Sequence, residues 1–164
     1  MNVNIYSRKS VEELLRDGFP SNTAVISFYD PPSPSRRDAC VPVDYSGKAS
    51  RVFQVAIHDI DLSVLPDFNL TYDTYFPEAD ALAQFIYSAK ADGLDMICQC
   101  EYGESRSSAC AAAILEHFCG NGISVFADYR YYPNQVVYHK VFDALEKYKK
   151  DRRKEENQNL SGTG

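Results

Sequence analysis

"CEYGESRSSACAAAILEHF", residues 100 to 118, sets a cysteine and an arginine apart by five residues and follows them with small residues at helical spacing. The stretch in front, "LDMICQC" (94–100), is short and apolar and reads as a buried strand that ends on Cys100. The stretch behind predicts a helix that starts near Arg106 or Ser107 and stops at Gly120 and Gly122. The first N–H groups of such a helix lack intrahelical partners and carry the positive end of its dipole, so they favour an anion in the loop. Gly103, in mid-loop, permits a positive φ, which lets successive N–H groups form a nest. Arg106 adds a planar fork that matches two oxygens of a phosphate. Cys100 lies under the same positive field, which favours its thiolate.

Working outward, "TAVISFYD" (23–30) is β-branched and apolar and reads as a strand, and "RVFQVAIHDIDL" (51–62) contains a second strand running into two aspartates. "SVEELLRDG" (10–18) reads as a short helix with a Ser cap, "EADALAQFIYSAKADG" (78–93) as a helix stopped by Gly93, and "QVVYHKVFDALEKYKK" (135–150) as the last helix. "ISVFADYRYYPN" (123–134) predicts another short strand or extended segment. The Pro- and Ser-rich run 31–50 reads as a loop, and "SVLPDFNLTYDTYFP" (63–77) as a long irregular connection of the kind that is functional or mobile. Mixed strands and helices, with no repeat and no dividing linker, predict one α/β domain over 1–150. Its central, largely parallel sheet has helices on both sides, and a polar, fraying tail follows over 151–164.

Composition bounds the function. The chain has 164 residues, a net charge of −6 and a pI near 5.0, which argues against a broad nucleic-acid or anionic-membrane surface. No apolar run reaches the ~20 residues of a membrane span, and "MNVNIYSRKSVEELL" lacks the apolar centre of a signal peptide. Five cysteines, at 40, 98, 100, 110 and 119, suggest reduced thiols in a cytoplasm. "CQC" has no second Cys or His pair at zinc spacing, so no metal is expected.

Cys100-Glu101-Tyr102-Gly103-Glu104-Ser105-Arg106-Ser107 resembles the Cys-x5-Arg-Ser/Thr signature loop of the protein tyrosine phosphatases. The mid-loop Gly and the Ser-Arg-Ser ending look most like the dual-specificity branch, and the match is closer still to small bacterial members of that superfamily. In those, a strand ends in Asp upstream and a Pro-Asn precedes the last helix; here these are Ile57-His58-Asp59-Ile60 and Pro133-Asn134. The resemblance spans most of residues 23–148 and implies a phosphatase acting through a phosphocysteine without metal or organic cofactor. Its substrates are phosphotyrosine or dual-specificity protein substrates, or a small phosphate ester.

The resemblance also distributes roles. Cys100 is the nucleophile, Arg106 and the loop positions Glu101, Tyr102, Gly103, Glu104 and Ser105 hold the phosphate, and an upstream Asp is the general acid. Asp59 fits that acid best, with Asp61, Asp67 and Asp73 as alternatives. Ser107 either stabilises the leaving sulfur or caps the helix. Asn134 braces the signature loop through its side chain. Gln99 stands where the family has His, and it can donate a hydrogen bond but carry no charge. Glu101 and Glu104 bias substrate choice if they point outward and oppose an anion if they point inward. The absence of Lys and Arg over 101–105 weighs against highly phosphorylated lipids. A non-catalytic phosphate- or phosphopeptide-binding module is the alternative. Smaller possibilities are a Cys98–Cys100 disulfide, a loop-shaping His58, and a pocket role for Tyr129, Tyr131 and Tyr132. His117 and His139 read as structural.

Overall fold

A computed structural model describes residues 1–35 and 40–161. Its elements are β1 (Val3–Ser7), α1 (Arg8–Asp17), β2 (Thr23–Tyr29), β3 (Arg51–Ala56), a 3-10 helix (Leu62–Phe68), α2 (Ala79–Ala91), β4 (Asp95–Cys100), α3 (Arg106–Cys119), α4 (Ile123–Phe126) and α5 (Gln135–Ser161). The loop reading of 31–50 falls partly on residues 36–39, and the tail reading partly on 162–164, which lie outside the described residues.

The sheet has four strands in the order β1-β4-β2-β3, every neighbouring pair parallel. The α/β expectation with a largely parallel sheet holds. β2 and β4 are central and buried on both faces, which is why they read as near-continuous apolar runs. Side-chain alternation in β4 divides the core. Met96, Cys98 and Cys100 join the larger cluster under α2, α3 and α5, while Ile97 joins a smaller one with Val11, Val25, Val43 and Tyr45 under α1 and the following loop. The register sets Ser7 beside Cys100 and Ser27 beside Gln99, so the C-terminal strand ends meet at one edge.

Four details differ from the sequence reading. β1 was not expected, because Val3 and Ile5 alone give too short an alternation to separate from a turn. α1 begins at Arg8 with Ser7 as its cap, whose side chain accepts from the Ser10 N–H, so the capping serine is three residues earlier than the pattern suggested. The expected strand at 123–134 is instead the single turn α4 and a turn-rich segment. "ISVF" packs against α3 as a helical turn and buries Val125. Finally, α5 runs on to Ser161. No Gly or Pro interrupts it, and Arg152–Glu156 and Lys154–Asp151 pairs line its exposed end.

Candidate functional site

The site forms where three strands end together. Cys100 closes β4, Asp30 follows β2 and Ile57 follows β3. This is the edge where open α/β sheets bind ligands. The Cys100–Arg106 loop turns back over β1 and feeds α3.

Two approaches hold the loop's shape. Gly103 has φ +72°, and a Cβ there would lie 2.6 Å from the Ser7 backbone nitrogen. No side chain fits that approach. The loop carbonyls are turned outward: Glu101 O accepts from Arg8 N–H, Glu104 O from Tyr132 N–H, and Ser105 O from Asn134 N–H. The described peptide bonds are all trans, so the N–H in each of these peptide units points the opposite way. Those are the N–H groups of Tyr102, Ser105 and Arg106, and they face the interior of the loop.

Cys100 is 3% exposed, and its Sγ lies 3.0 Å from Ser107 Oγ in the first turn of α3. The N-cap of α3 is Ser105, which makes no side-chain cap bond, so Ser107 is not used as a cap. Arg106 is 3% exposed and held at two corners. Its Nη1 donates to Ile57 O at 2.8 Å, and its Nη2 pairs with Asp30 Oδ1 at 2.8 Å. Its Nε is buried with no hydrogen-bond partner, the one such side-chain nitrogen or oxygen among the described residues. A buried donor left open is costly, and one facing an anion loop is available to a bound oxygen.

Asp59 sits at the mouth. Its Oδ1 accepts from Ser105 Oγ at 2.7 Å and from Asn134 Nδ2 at 2.9 Å. Asn134 Nδ2 also donates to Ile60 O, and its Oδ1 accepts from Val137 N–H at the start of α5. The expected brace from Asn134 to the signature loop is therefore made by its backbone N–H, while its side chain holds the Asp59 segment. Asp61 starts the 3-10 helix without a side-chain cap bond, and it lines a cleft beside the mouth, unlike Asp67 and Asp73.

The acidic loop residues divide. Glu101 is drawn away by Arg8, whose Nε lies 2.8 Å from its Oε2, so it does not face the loop interior. Glu104 and Tyr102 are exposed. Gln99, 1% exposed, lies beneath the loop on the far face of β4. Its Oε1 accepts from Ser27 Oγ (2.6 Å) and Tyr45 Oη (2.9 Å), and its Nε2 donates to the Cys100 carbonyl (2.9 Å). Burial raises the Tyr45 phenol well above its ordinary value, so it stays a donor.

Sequence reasoning missed three contributors. Asp30 was part of a strand-end pattern identical in kind to Asp59, but nothing local shows that its partner is Arg106, 76 residues later by numbering. Tyr75 donates to His58 O at 2.6 Å and steadies the acid segment; its phenol is raised by burial and by Asp59. Tyr45 was hidden in the loop. His58 itself packs at a tilt against the Phe68 ring, and His117 is held between Tyr87 and Glu146. Cys98 on β4 meets Cys110 on α3; burial and Cys98 push the Cys110 thiol up, and Cys98 and Cys100 are both free cysteines, with no disulfide between them. Tyr131 and Tyr132 line the cleft, whereas Tyr129 is 89% exposed and does not. Among the described residues no cluster of three or more His, Cys, Asp or Glu could hold a metal, and no helix is long and apolar enough to cross a membrane.

No protein-family model and no curated protein matches the sequence. Solved structures do match its fold. DUSP15 superposes with a TM-score of 0.54 at 16% identity, covering 95% of this chain and 91% of that one. PTPMT1 gives 0.53 at 18% identity, covering 93% and 95%. The human tyrosine phosphatase-like serine/threonine/tyrosine-interacting protein gives 0.53 at 16% identity, covering 87% and 86%. The chain has the dual-specificity-like fold of the cysteine-dependent protein tyrosine phosphatases.

Proposed function

We propose that the protein is a cysteine-dependent phosphatase that hydrolyses phosphate monoesters, with phosphotyrosine or dual-specificity protein substrates, through a phosphocysteine. One observation carries this. The buried Cys100 Sγ, 3.0 Å from Ser107 Oγ, shares its loop with a buried Arg106 whose Nε has no partner. A thiol at the base of an anion-shaped loop, beside an open guanidinium donor, suits attack on phosphorus.

The Cys100 thiolate attacks phosphorus in line as the bond to the ester oxygen breaks. Arg106 Nε and the inward N–H groups hold the equatorial oxygens, whose charge they stabilise through the transition state. Asp59 gives its proton to the leaving oxygen. Water then attacks the phosphocysteine, returns a proton to Asp59, and releases phosphate and the Cys100 thiolate. Ser107 Oγ donates to the sulfur as it leaves. The role of Asp59 is supported by its bond to Ser105, which keeps its carboxylate over the loop, and by its exposure to solvent water.

The test is hydrolysis of an aryl phosphate by wild type and Cys100→Ser, with trapping of a phosphocysteine by acid quench and mass spectrometry. Turnover, loss of it in Cys100→Ser and a phosphate adduct on Cys100 are expected. A folded wild type inactive from about pH 5 to 8 sinks the enzyme reading; that span brackets the working range of a carboxylic acid and a thiolate. Retained phosphopeptide binding in that case supports the binding-module reading. That reading is favoured by the uncharged Gln99 behind the nucleophile and by the name of the phosphatase-like interacting protein that shares this fold.

A further inference from the structure

Beside the mouth lies a cleft of about 1190 Å³. One end is the hydrogen-bonded group of Asp59, Ser105 and Asn134, so it opens directly off the phosphate loop. A bound phosphate and one side chain would leave most of it free, since whole drug-sized ligands occupy about 300–1,000 Å³. The two walls come from separate elements: Leu62 and Val64 from the 3-10 helix, Phe126 from α4, and Tyr131 and Tyr132 from the segment before α5. Leu62 is 59% exposed, Tyr132 73% and Phe126 36%. Apolar side chains left open around a groove mark a surface that another molecule covers.

The charges are one-sided. Asp59 and Asp61 line the cleft, and among the described residues no Lys or Arg does. Two basic residues rest on the outer side of the wall and are already paired: Arg130 with Asp128 and the Tyr131 ring, and Lys140 with the Tyr72 carbonyl and ring. The only other titratable groups on the walls are His139 and the tyrosines 72, 131 and 132. Among the described residues, a second phosphate or an acidic flank finds no unpaired cation lining the cleft. Polar groups, among them Ser63, Asn134 and Gln135, are interleaved with the apolar ones along the walls. That alternation suits a peptide, whose backbone needs partners, better than an acyl chain. An anionic membrane surface would meet Asp61 and Glu104.

Resting on the phosphatase reading, we infer that this cleft selects phosphorylated peptide segments that carry a bulky apolar residue and a Lys or Arg beside the phosphorylated residue. Leu62 and Phe126 grip the apolar residue, and Asp61 faces the basic one. Peptides with an acidic flank, and multiply phosphorylated small molecules, are disfavoured.

The experiment compares tyrosine- and threonine-phosphorylated peptides with apolar-basic or acidic flanks, an aryl phosphate, and a monophosphorylated lipid in neutral micelles. Turnover is read as kcat/KM on wild type. Binding is read by calorimetry on Cys100→Ser. A preference of tenfold or more for the apolar-basic flank is expected, since filling an apolar pocket and pairing a charge contribute about 10- to 200-fold. Leu62→Ala with Phe126→Ala lowers peptide kcat/KM by about tenfold and leaves aryl phosphate turnover unchanged. Ser63→Lys shifts preference toward the acidic flank, again without changing aryl phosphate turnover. Equal kcat/KM for both flanks, or faster lipid than peptide turnover, overturns the inference while leaving the phosphatase reading standing. If the aryl phosphate is not hydrolysed, the phosphatase reading fails, and binding to Cys100→Ser still decides the flank: tighter binding of the apolar-basic flank supports the inference, and equal affinities or tighter binding of the acidic flank overturn it.

Discussion

Asp30 Oδ1 and Arg106 Nη2 form a 2.8 Å ion pair at the end of the Cys100–Arg106 loop, with side chains only 14% and 4% exposed. With the Ile57 carbonyl on Nη1, this fixes the plane of the guanidinium and leaves Nε as its open buried donor. A fork free to rotate would lose entropy on every binding event. One held by two strand ends is preorganised for the anion.

Asp30 is thus a positioning residue that acts through Arg106. Asp30→Ala leaves a buried guanidinium without its counter-charge, a change that costs about 3 kcal/mol or more. Thermal unfolding should move down by several degrees. Inorganic phosphate should bind more weakly, and kcat should fall with KM risen. Asp30→Glu should restore part of the phosphate affinity because it restores the charge. A general packing defect would lower Tm without changing phosphate affinity at a temperature where the variant is folded, and that result removes Asp30 from the site.

Gln99 links the Cys100 backbone to a buried hydroxyl pair. Gln99→Leu keeps the bulk but strands Ser27 Oγ and Tyr45 Oη, each unpaired group costing about 1–3 kcal/mol. The expected loss in stability is large. Adding Ser27→Ala and Tyr45→Phe should recover part of it, because removing both sides of a buried hydrogen bond is close to neutral. Chemical denaturation of wild type, Gln99→Leu, Ser27→Ala with Tyr45→Phe, and all three changes together measures this. Simple additivity of the losses contradicts a shared network.

The loop and its strand–helix setting were legible because they are local. One apolar run, one glycine and one arginine at fixed offsets state the whole cradle between 94 and 119. Asp59 was legible by its place at a strand end, and the structure brings it to Ser105. The Arg106–Asp30 pair and the Gln99–Ser27–Tyr45 network were not, since each joins residues that only the strand order β1-β4-β2-β3 makes neighbours. α4 was misread for the opposite reason. "ISVF" has strand-like side chains, but it packs against α3 with Val125 buried, and tertiary context overrode propensity. The end of α5 was underestimated because polar composition resembles a frayed tail, whereas its i,i+3 and i,i+4 ion pairs support a helix.

Gly103 and Gly93 have almost the same backbone, φ +72° and +71°, and very different surroundings. A Cβ at Gly93 meets nothing within 4 Å, whereas at Gly103 it would strike the Ser7 and Tyr6 backbone. Both alanine substitutions carry the left-handed strain of about 1–2 kcal/mol. Only Gly103→Ala should also displace the loop. Gly93→Ala should keep phosphate affinity and aryl phosphate turnover with a small drop in Tm. Gly103→Ala should lose both activities by tenfold or more, the loss set by how far the inward N–H groups move. Matching behaviour of the two variants shows that close approach to β1 does not shape the loop.

His117 offers a signed pH dependence away from the site. Its side chain is 1% exposed, with Nε2 2.7 Å from Tyr87 Oη and Nδ1 2.7 Å from Glu146 Oε1. Burial holds its pKa below the ordinary 6.5, and Glu146 works against that shift without cancelling it. As pH falls through 6.5 the unfolded chain takes up this proton first. Stability contributed by neutral His117 is therefore complete above 6.5 and declines below it until the folded protein is protonated as well. Wild-type Tm should fall between about pH 7 and 5.5, just above the range where carboxylates begin to titrate. His117→Gln should flatten that portion. Glu146→Gln removes the group that favours the cation, lowers the folded pKa further, and should steepen the loss toward acid. A Glu146→Gln profile shallower than wild type reverses the sign and contradicts burial as the dominant influence on His117.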